Sequence, residues 1–131
     1  MDMQNPRPPR ALIYDDDEAF AEECAEALIR HGYDARTRAG RSKFEPLLSA
    51  IAPDLLILDL HMPGLDGFEA LRVIQGYERK GDLTVIIVSA ADSSLISSAR
   101  ALSEAYEIRL SGILRKPIKP GELESLLTQT R

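Results

Sequence analysis

Five short apolar runs, each followed by an amphipathic stretch of helical spacing, predict an α/β domain: a doubly wound, five-stranded parallel sheet with helices on both faces. Two more observations support this. The connections are short, as successive βα units require, and the third run, Leu55–Leu58, is uninterrupted apolar sequence, as expected for a central parallel strand buried on both sides. A chain of 131 residues fits one such domain. We expect residues 1–10 to form a flexible, proline-rich tail and residues 11–131 to form the domain.

Taken in order, Ala11–Tyr14 is the first apolar run. It leads into a helix whose face carries Phe20, Cys24, Ala27 and Leu28, with an acidic first turn that suits the helix dipole. His31-Gly32 stops this helix. Tyr33–Thr37 reads as a weak second strand because its alternation carries charge. The next helix, from about Ser42 to Ala50, has Phe44, Leu47, Leu48 and Ile51 as its apolar set. After the third strand, a Pro63-Gly64 turn precedes a helix containing Phe68, Leu71 and Ile74. Leu83–Val88, apolar and β-branched, is the fourth strand, and its helix is expected to align Leu95, Ala99, Leu102 and Tyr106. Ile113–Leu114 reads as a short last strand, followed by a helix over Glu122–Thr128 that packs through Leu123, Leu126 and Leu127.

Composition narrows the functional classes. A formal net charge of -5, with Lys and Arg merely scattered between Arg30 and Lys43, argues against direct binding to nucleic acid or anionic membranes. Cys24 is the single cysteine, so no internal disulfide forms, and a reducing cytoplasm is the expected setting. Residues 1–10 contain no signal-peptide pattern, and no apolar run approaches membrane-spanning length.

The strand ends carry the chemistry. Asp15-Asp16-Asp17 closes the first strand, Asp59 the third, Ser89 the fourth and Lys116-Pro117 the fifth. A parallel sheet brings these ends to one edge, where ligands of such folds bind. Carboxylates gathered there repel one another unless a cation intervenes, and hard oxygen donors suit Mg²⁺. Lys116 offsets part of the remaining charge, so the set reads as a divalent-metal site that handles phosphate. Taken singly, each residue has a plainer role. Asp17 is best read as a helix N-cap, Asp15 or Asp16 alone caps as readily as it ligates, and Ser89 or Lys116 alone is an ordinary turn or surface residue. Asp59 is separated from its helix by the turn, and Asp66 is better placed to cap it.

Four segments carry a family resemblance. Leu12-Ile13-Tyr14-Asp15-Asp16-Asp17 resembles the first strand and acidic pair of response-regulator receiver domains. The run from Pro53 through Asp59-Leu60-His61-Met62-Pro63-Gly64 to Gly67 resembles their phosphoacceptor segment. Ile86-Ile87-Val88-Ser89-Ala90 matches the strand that ends in a hydroxyl residue, and Leu114-Arg115-Lys116-Pro117 the lysine-proline signature. The resemblance implies a flavodoxin-like (βα)5 receiver fold over about residues 10–130 and a phosphorylation switch of two-component or phosphorelay signalling. It implies Asp59 as the acceptor of a phosphoryl group from a histidine kinase or a histidine phosphotransfer protein. Asp16, Asp59 and the His61 backbone carbonyl would ligate Mg²⁺, with Asp15 acting through water. Lys116 would pair with Asp59 at rest and with a phosphoryl oxygen afterwards, while Ser89 and the Ala90 amide would bind the phosphoryl group. The Lys116-Pro117 bond is expected to be cis. Such a domain is a signalling switch, not an enzyme acting on other substrates. Its output would lie in another protein or in a further domain, and homodimers built on the fourth helix, fifth strand and fifth helix are common in the family.

Departures from the family pattern shape further expectations. Ile113 stands three before Lys116, where an aromatic residue usually reports the switch, so Ser89 movement is expected without an aromatic readout. The segment from Ser89 to Lys116 is long, which predicts a fourth helix extended by about a turn, similar to receivers joined to cyclic-di-GMP phosphodiesterase (EAL) domains. His61 replaces a common Asn or Met, and its side chain is expected to influence self-dephosphorylation. The main rival function is a receiver-like interaction scaffold that works without phosphorylation. Burying unpaired carboxylates would gain such a scaffold nothing. A metal-dependent phosphohydrolase would need a second acid beside Asp59, where Leu60 and His61 stand instead. A flavodoxin-type redox protein would need a phosphate-cradling loop where the acidic triplet lies.

Overall fold

A computed structural model describes residues 7–38, 43–60, 67–90 and 93–130. Five parallel strands, β1 (Arg10–Tyr14), β2 (Asp34–Thr37), β3 (Leu55–Asp59), β4 (Thr84–Ser89) and β5 (Arg109–Arg115), form one sheet in the order β2-β1-β3-β4-β5. They alternate with α1 (Glu18–Arg30), α2 (Phe44–Ile51), α3 (Gly67–Gln75), α4 (Ser93–Ala105) and α5 (Glu122–Thr130). The predicted architecture is therefore the observed one. Among the described residues, no helix is long and apolar enough to cross a membrane.

Strand alternation divides the core into two layers. Leu12, Tyr14, Leu56, Leu58, Val85 and Ile87 point to one face of the sheet, where Phe44, Leu48, Leu71, Ile74 and Ala99 from α2, α3 and α4 cover them. Their neighbours Ala11, Ile13, Leu55, Ile57, Ile86 and Val88 point to the other face and meet Ala21, Cys24, Leu28, Leu123 and Leu127 from α1 and α5. The interior runs of the central strands, Ala11–Tyr14, Leu55–Leu58 and Val85–Val88, are thus apolar throughout because both faces need burial. Complete burial of side chains of this size contributes about 1.5–3 kcal/mol apiece before entropy is counted.

The helix ends follow local chemistry. Asp17 caps α1, its carboxylate accepting a hydrogen bond from the Phe20 amide at 3.1 Å. His31 closes that helix, and Gly32 then adopts φ 90°, which a side chain would resist. Gly67 starts α3 against Leu60, the residue that follows β3, where an added Cβ would fall 2.6 Å from the Leu60 Cα.

Several expectations need correction. Strand β1 begins at Arg10, one residue before the expected first run, and Arg7–Pro9 lies against the domain. The Arg10 amide donates to Asp54 Oδ2 at 2.7 Å, Arg7 pairs with the same carboxylate at 3.3 Å, and the Pro9 carbonyl accepts from the Asp34 amide at 2.8 Å. The last strand covers seven residues, not two. Leu110 pairs with Val85 and Gly112 with Ile86, leaving Ser111 as a bulge that breaks the apolar alternation. Helix α4 spans 13 residues, Ser93–Ala105. Leu95 is an exposed residue of α4; Ala99 and Ser103 are buried there, and Tyr106 packs on the core from beyond the helix end.

Candidate functional site

The chain leaves β1 toward β2 on one side, and β3 lies on the other, so the carboxyl ends of β1 and β3 flank the switch point of the sheet. Asp15 and Asp16 follow β1, and Asp59 ends β3. One carboxylate oxygen from each of these three residues lies within 4.8 Å of the others. Asp15 and Asp59 are buried, at 1% and 4% exposure, whereas Asp16 is open to solvent. Asp15 Oδ1 accepts a hydrogen bond from the Asp17 amide at 2.9 Å, which fixes its rotamer.

Lys116 enters from the end of β5. Its amide donates to the Ser89 carbonyl at 3.0 Å, which continues the pairing of β4 with β5. The Lys116-Pro117 peptide is cis, as expected. The Lys116 Nζ lies 2.8 Å from Asp15 Oδ2 and 3.5 Å from Asp59 Oδ2. The shorter contact is a close ion pair with a buried carboxylate oxygen. The longer one lies at the limit of hydrogen-bonding distance. The expected resting partner, Asp59, is therefore the more distant of two. Burial alone would lower the Lys116 pKa, but the Asp15 carboxylate, and then that of Asp59, outweigh it and hold the ammonium above the ordinary lysine range.

Ser89 is fully buried and directly follows Val88, the register partner of Asp59. Ala90, beyond the strand, is exposed. Ile113 is half-buried against the core layer beneath α2–α4. His61, the Pro63-Gly64 turn and Asp66 lie outside the described residues. A cavity of about 220 Å³ opens beside the acidic residues, lined by Asp15, Asp16, Glu18, Glu22, Thr37 and Arg38. Two features of this end of the sheet were missed from the sequence. Arg38 lies over the Tyr14 ring at 5.1 Å, and the Phe20 ring centroid lies 4.5 Å from the Lys116 Nζ. Neither contact follows from spacing along the chain.

The donor set suits a hard divalent cation. Three carboxylates converge, two of them buried, and the exposed third leaves room for water in the coordination shell. Lys116 neutralises only part of this charge. An anionic group such as phosphate therefore fits here only together with a cation.

The model of the response regulator receiver domain matches residues 11–128. The chain belongs to the receiver-domain family. This receiver domain is 28% identical over 123 residues to the "DNA-binding dual master transcriptional regulator RpaA" of Synechocystis, covering 94% of this chain and 48% of that protein. It is 33% identical over 122 residues to the response regulator MprA of Mycobacterium tuberculosis, covering 93% and 49%. The chain thus spans about half the length of these curated relatives. Among solved structures, it is similar to the non-phosphorylated HemR receiver domain of Leptospira biflexa, with a TM-score of 0.75, 27% identity and 93% of each chain covered. A response regulator receiver protein from Burkholderia phymatum gives a TM-score of 0.69 at 29% identity, covering 93% of this chain and 94% of that one. Receiver domains are signalling switches of two-component systems, and this chain has their fold.

Proposed function

We propose that this receiver domain takes a phosphoryl group on Asp59 from a phosphohistidine, in a Mg²⁺-dependent reaction, and thereby changes which partner it binds. The observation that carries the reading is the convergence of Asp15, Asp16 and Asp59 within 4.8 Å, with the Lys116 ammonium beside two of them. Asp16, Asp59 and the His61 carbonyl are assigned as ligands of the ion, with Asp15 acting through a water. When bound, Mg²⁺ neutralises charge on the phosphoryl oxygens.

The protein's own residues do the rest. A carboxylate oxygen of Asp59 attacks phosphorus, the P–N bond to the imidazole breaks, and the histidine leaves with the bonding electron pair. Lys116 meets one phosphoryl oxygen, and the Ser89 hydroxyl and Ala90 amide meet others. The product is a mixed anhydride. Water later cleaves it to phosphate and the Asp59 carboxylate, so the switch resets. Displacement of Ser89 toward the phosphoryl group would move the segment after β4 and alter the surface around α4 and β5. Ile113 packs as an aliphatic core residue, so this readout proceeds without an aromatic rotamer change.

The kinase or phosphotransfer partner and the output belong to the same proposal. Output acts in another protein or in a domain beyond the receiver. A cyclic-di-GMP phosphodiesterase (EAL) domain is one such output, suggested by the length of the segment from Ser89 to Lys116. The single buried Cys24 suits a reducing cytoplasm.

Intact-mass spectrometry after incubation with acetyl phosphate, with and without Mg²⁺ and beside Asp59→Asn, tests the reading. A phosphoryl mass gain that requires both Mg²⁺ and Asp59 is expected. No gain from acetyl phosphate or from a phosphohistidine donor, in a chain shown to be folded, would replace the reading with a phosphorylation-independent scaffold.

A further inference from the structure

The Lys116 ammonium has a third neighbour besides the two carboxylates: the face of Phe20, whose ring centroid lies 4.5 Å from Nζ. Phe20 is the third residue of α1, and its amide is held by the Asp17 carboxylate at 3.1 Å. Its ring packs against the core layer beneath α1 and α5, and with Cys24, Ile118 and Leu123 it lines the groove between those helices. Backbone and ring are thus fixed independently of Lys116.

A lysine needs such a wall here. Its four-carbon stem is flexible, and its ammonium is a compact charge that seeks water. Two carboxylates attract it without fixing its direction, and the nearer, Asp15, draws it away from Asp59. An aromatic face on the remaining side attracts the cation electrostatically and occupies a path to solvent, leaving only 18% of the side chain exposed.

We propose that Phe20 is a positioning residue for Lys116: its π face confines the ammonium between Asp15 and Asp59, where it can meet a phosphoryl oxygen. The inference rests on the phosphotransfer reading above. It differs from ordinary core packing in one respect. A packing role needs only apolar volume, whereas the positioning role needs an aromatic face.

The test compares Phe20→Leu, which keeps apolar bulk, with Phe20→Tyr, which keeps the face. Each is assayed for phosphorylation by acetyl phosphate at saturating Mg²⁺, and the Lys116 Cε methylene protons are observed by NMR. In the wild type, the ring current should move those protons upfield. Phe20→Leu should abolish that shift and slow phosphorylation by roughly fivefold to thirtyfold, the kinetic equivalent of a desolvated cation–π contact. Phe20→Tyr should retain the shift and stay within about twofold of wild type. A wild-type chain without the upfield shift, a Leu variant as fast as wild type, or equal slowing in the Leu and Tyr variants would each overturn the proposal. A wild type that takes no phosphoryl group while showing the shift would overturn the phosphotransfer reading, and with it the catalytic meaning of a contact that is nonetheless present.

Discussion

Lys116 leans on Asp15 more closely than on Asp59, at 2.8 Å against 3.5 Å, so the lysine–aspartate pair expected from the motifs is a triad in the fold. Asp15 is the more buried carboxylate, and Lys116 is the cation that compensates it.

Removing that cation should expose the cost of burying Asp15. Lys116→Met is expected to destabilise the metal-free fold by about 1–3 kcal/mol, less than for a fully buried pair because Lys116 retains some solvent. Adding Asp15→Asn to Lys116→Met should recover most of that loss. Asp59→Asn alone should be neutral or stabilising, because it relieves repulsion among the carboxylates. Urea denaturation of wild type, both single variants at Lys116 and Asp15, their double mutant and Asp59→Asn, all in chelator, decides this. An additive double mutant would show that Lys116 and Asp15 are not coupled.

Two glycines should respond differently to alanine. At Gly67 the new Cβ would meet the Leu60 backbone at 2.6 Å, whereas at Gly112 it would meet the end of the Leu126 side chain at 2.8 Å. A backbone cannot yield as a leucine rotamer can. Gly67→Ala should cost about 1–3 kcal/mol or more, and Gly112→Ala less than about 1 kcal/mol. Equilibrium denaturation midpoints would reveal the ranking, and a reversed order would contradict the packing described for β3 and α3.

Alkaline stability should carry the signature of Cys24. Burial, then the charges of Asp15 and Glu23, push its thiol up to about 12 from 9.0. The folded protein holds this proton where the unfolded chain releases it, so stability is fully present below pH 9 and falls as pH rises toward 12. The slope is roughly 1 kcal/mol per pH unit. Tyr14 and Tyr77, also raised by burial, add to the loss only above pH 10. Cys24→Ala should therefore flatten the stability profile between pH 9 and 10, whatever its effect at neutral pH. An unchanged slope in that interval would mean that the thiol ionises freely in the folded state.

Much of the fold was legible because its strands are buried on both faces. Leu55–Leu58 is apolar throughout and Leu83–Val88 is nearly so, and such runs admit few other arrangements. Strand β5 was harder to read. It lies at the sheet edge, its Arg109–Gly112 half is partly exposed, and the Ser111 bulge shifts the side-chain alternation by one. The stripe of α4 was misplaced for a related reason: Leu95 looked like a core residue by type, yet Ser103 takes a buried position by geometry.

The sequence by itself determined which residues end the strands, and hence that Asp15, Asp16, Asp59, Ser89 and Lys116 share one edge, because parallel pairing sends every carboxyl end the same way. Only the tertiary structure decided the distances among them. The placement of Lys116 nearer Asp15, with the Phe20 ring against its ammonium, depends on how α1 packs over β1 and beside α5. These contacts join the two ends of the chain, and they are fixed by core packing, which no local pattern encodes.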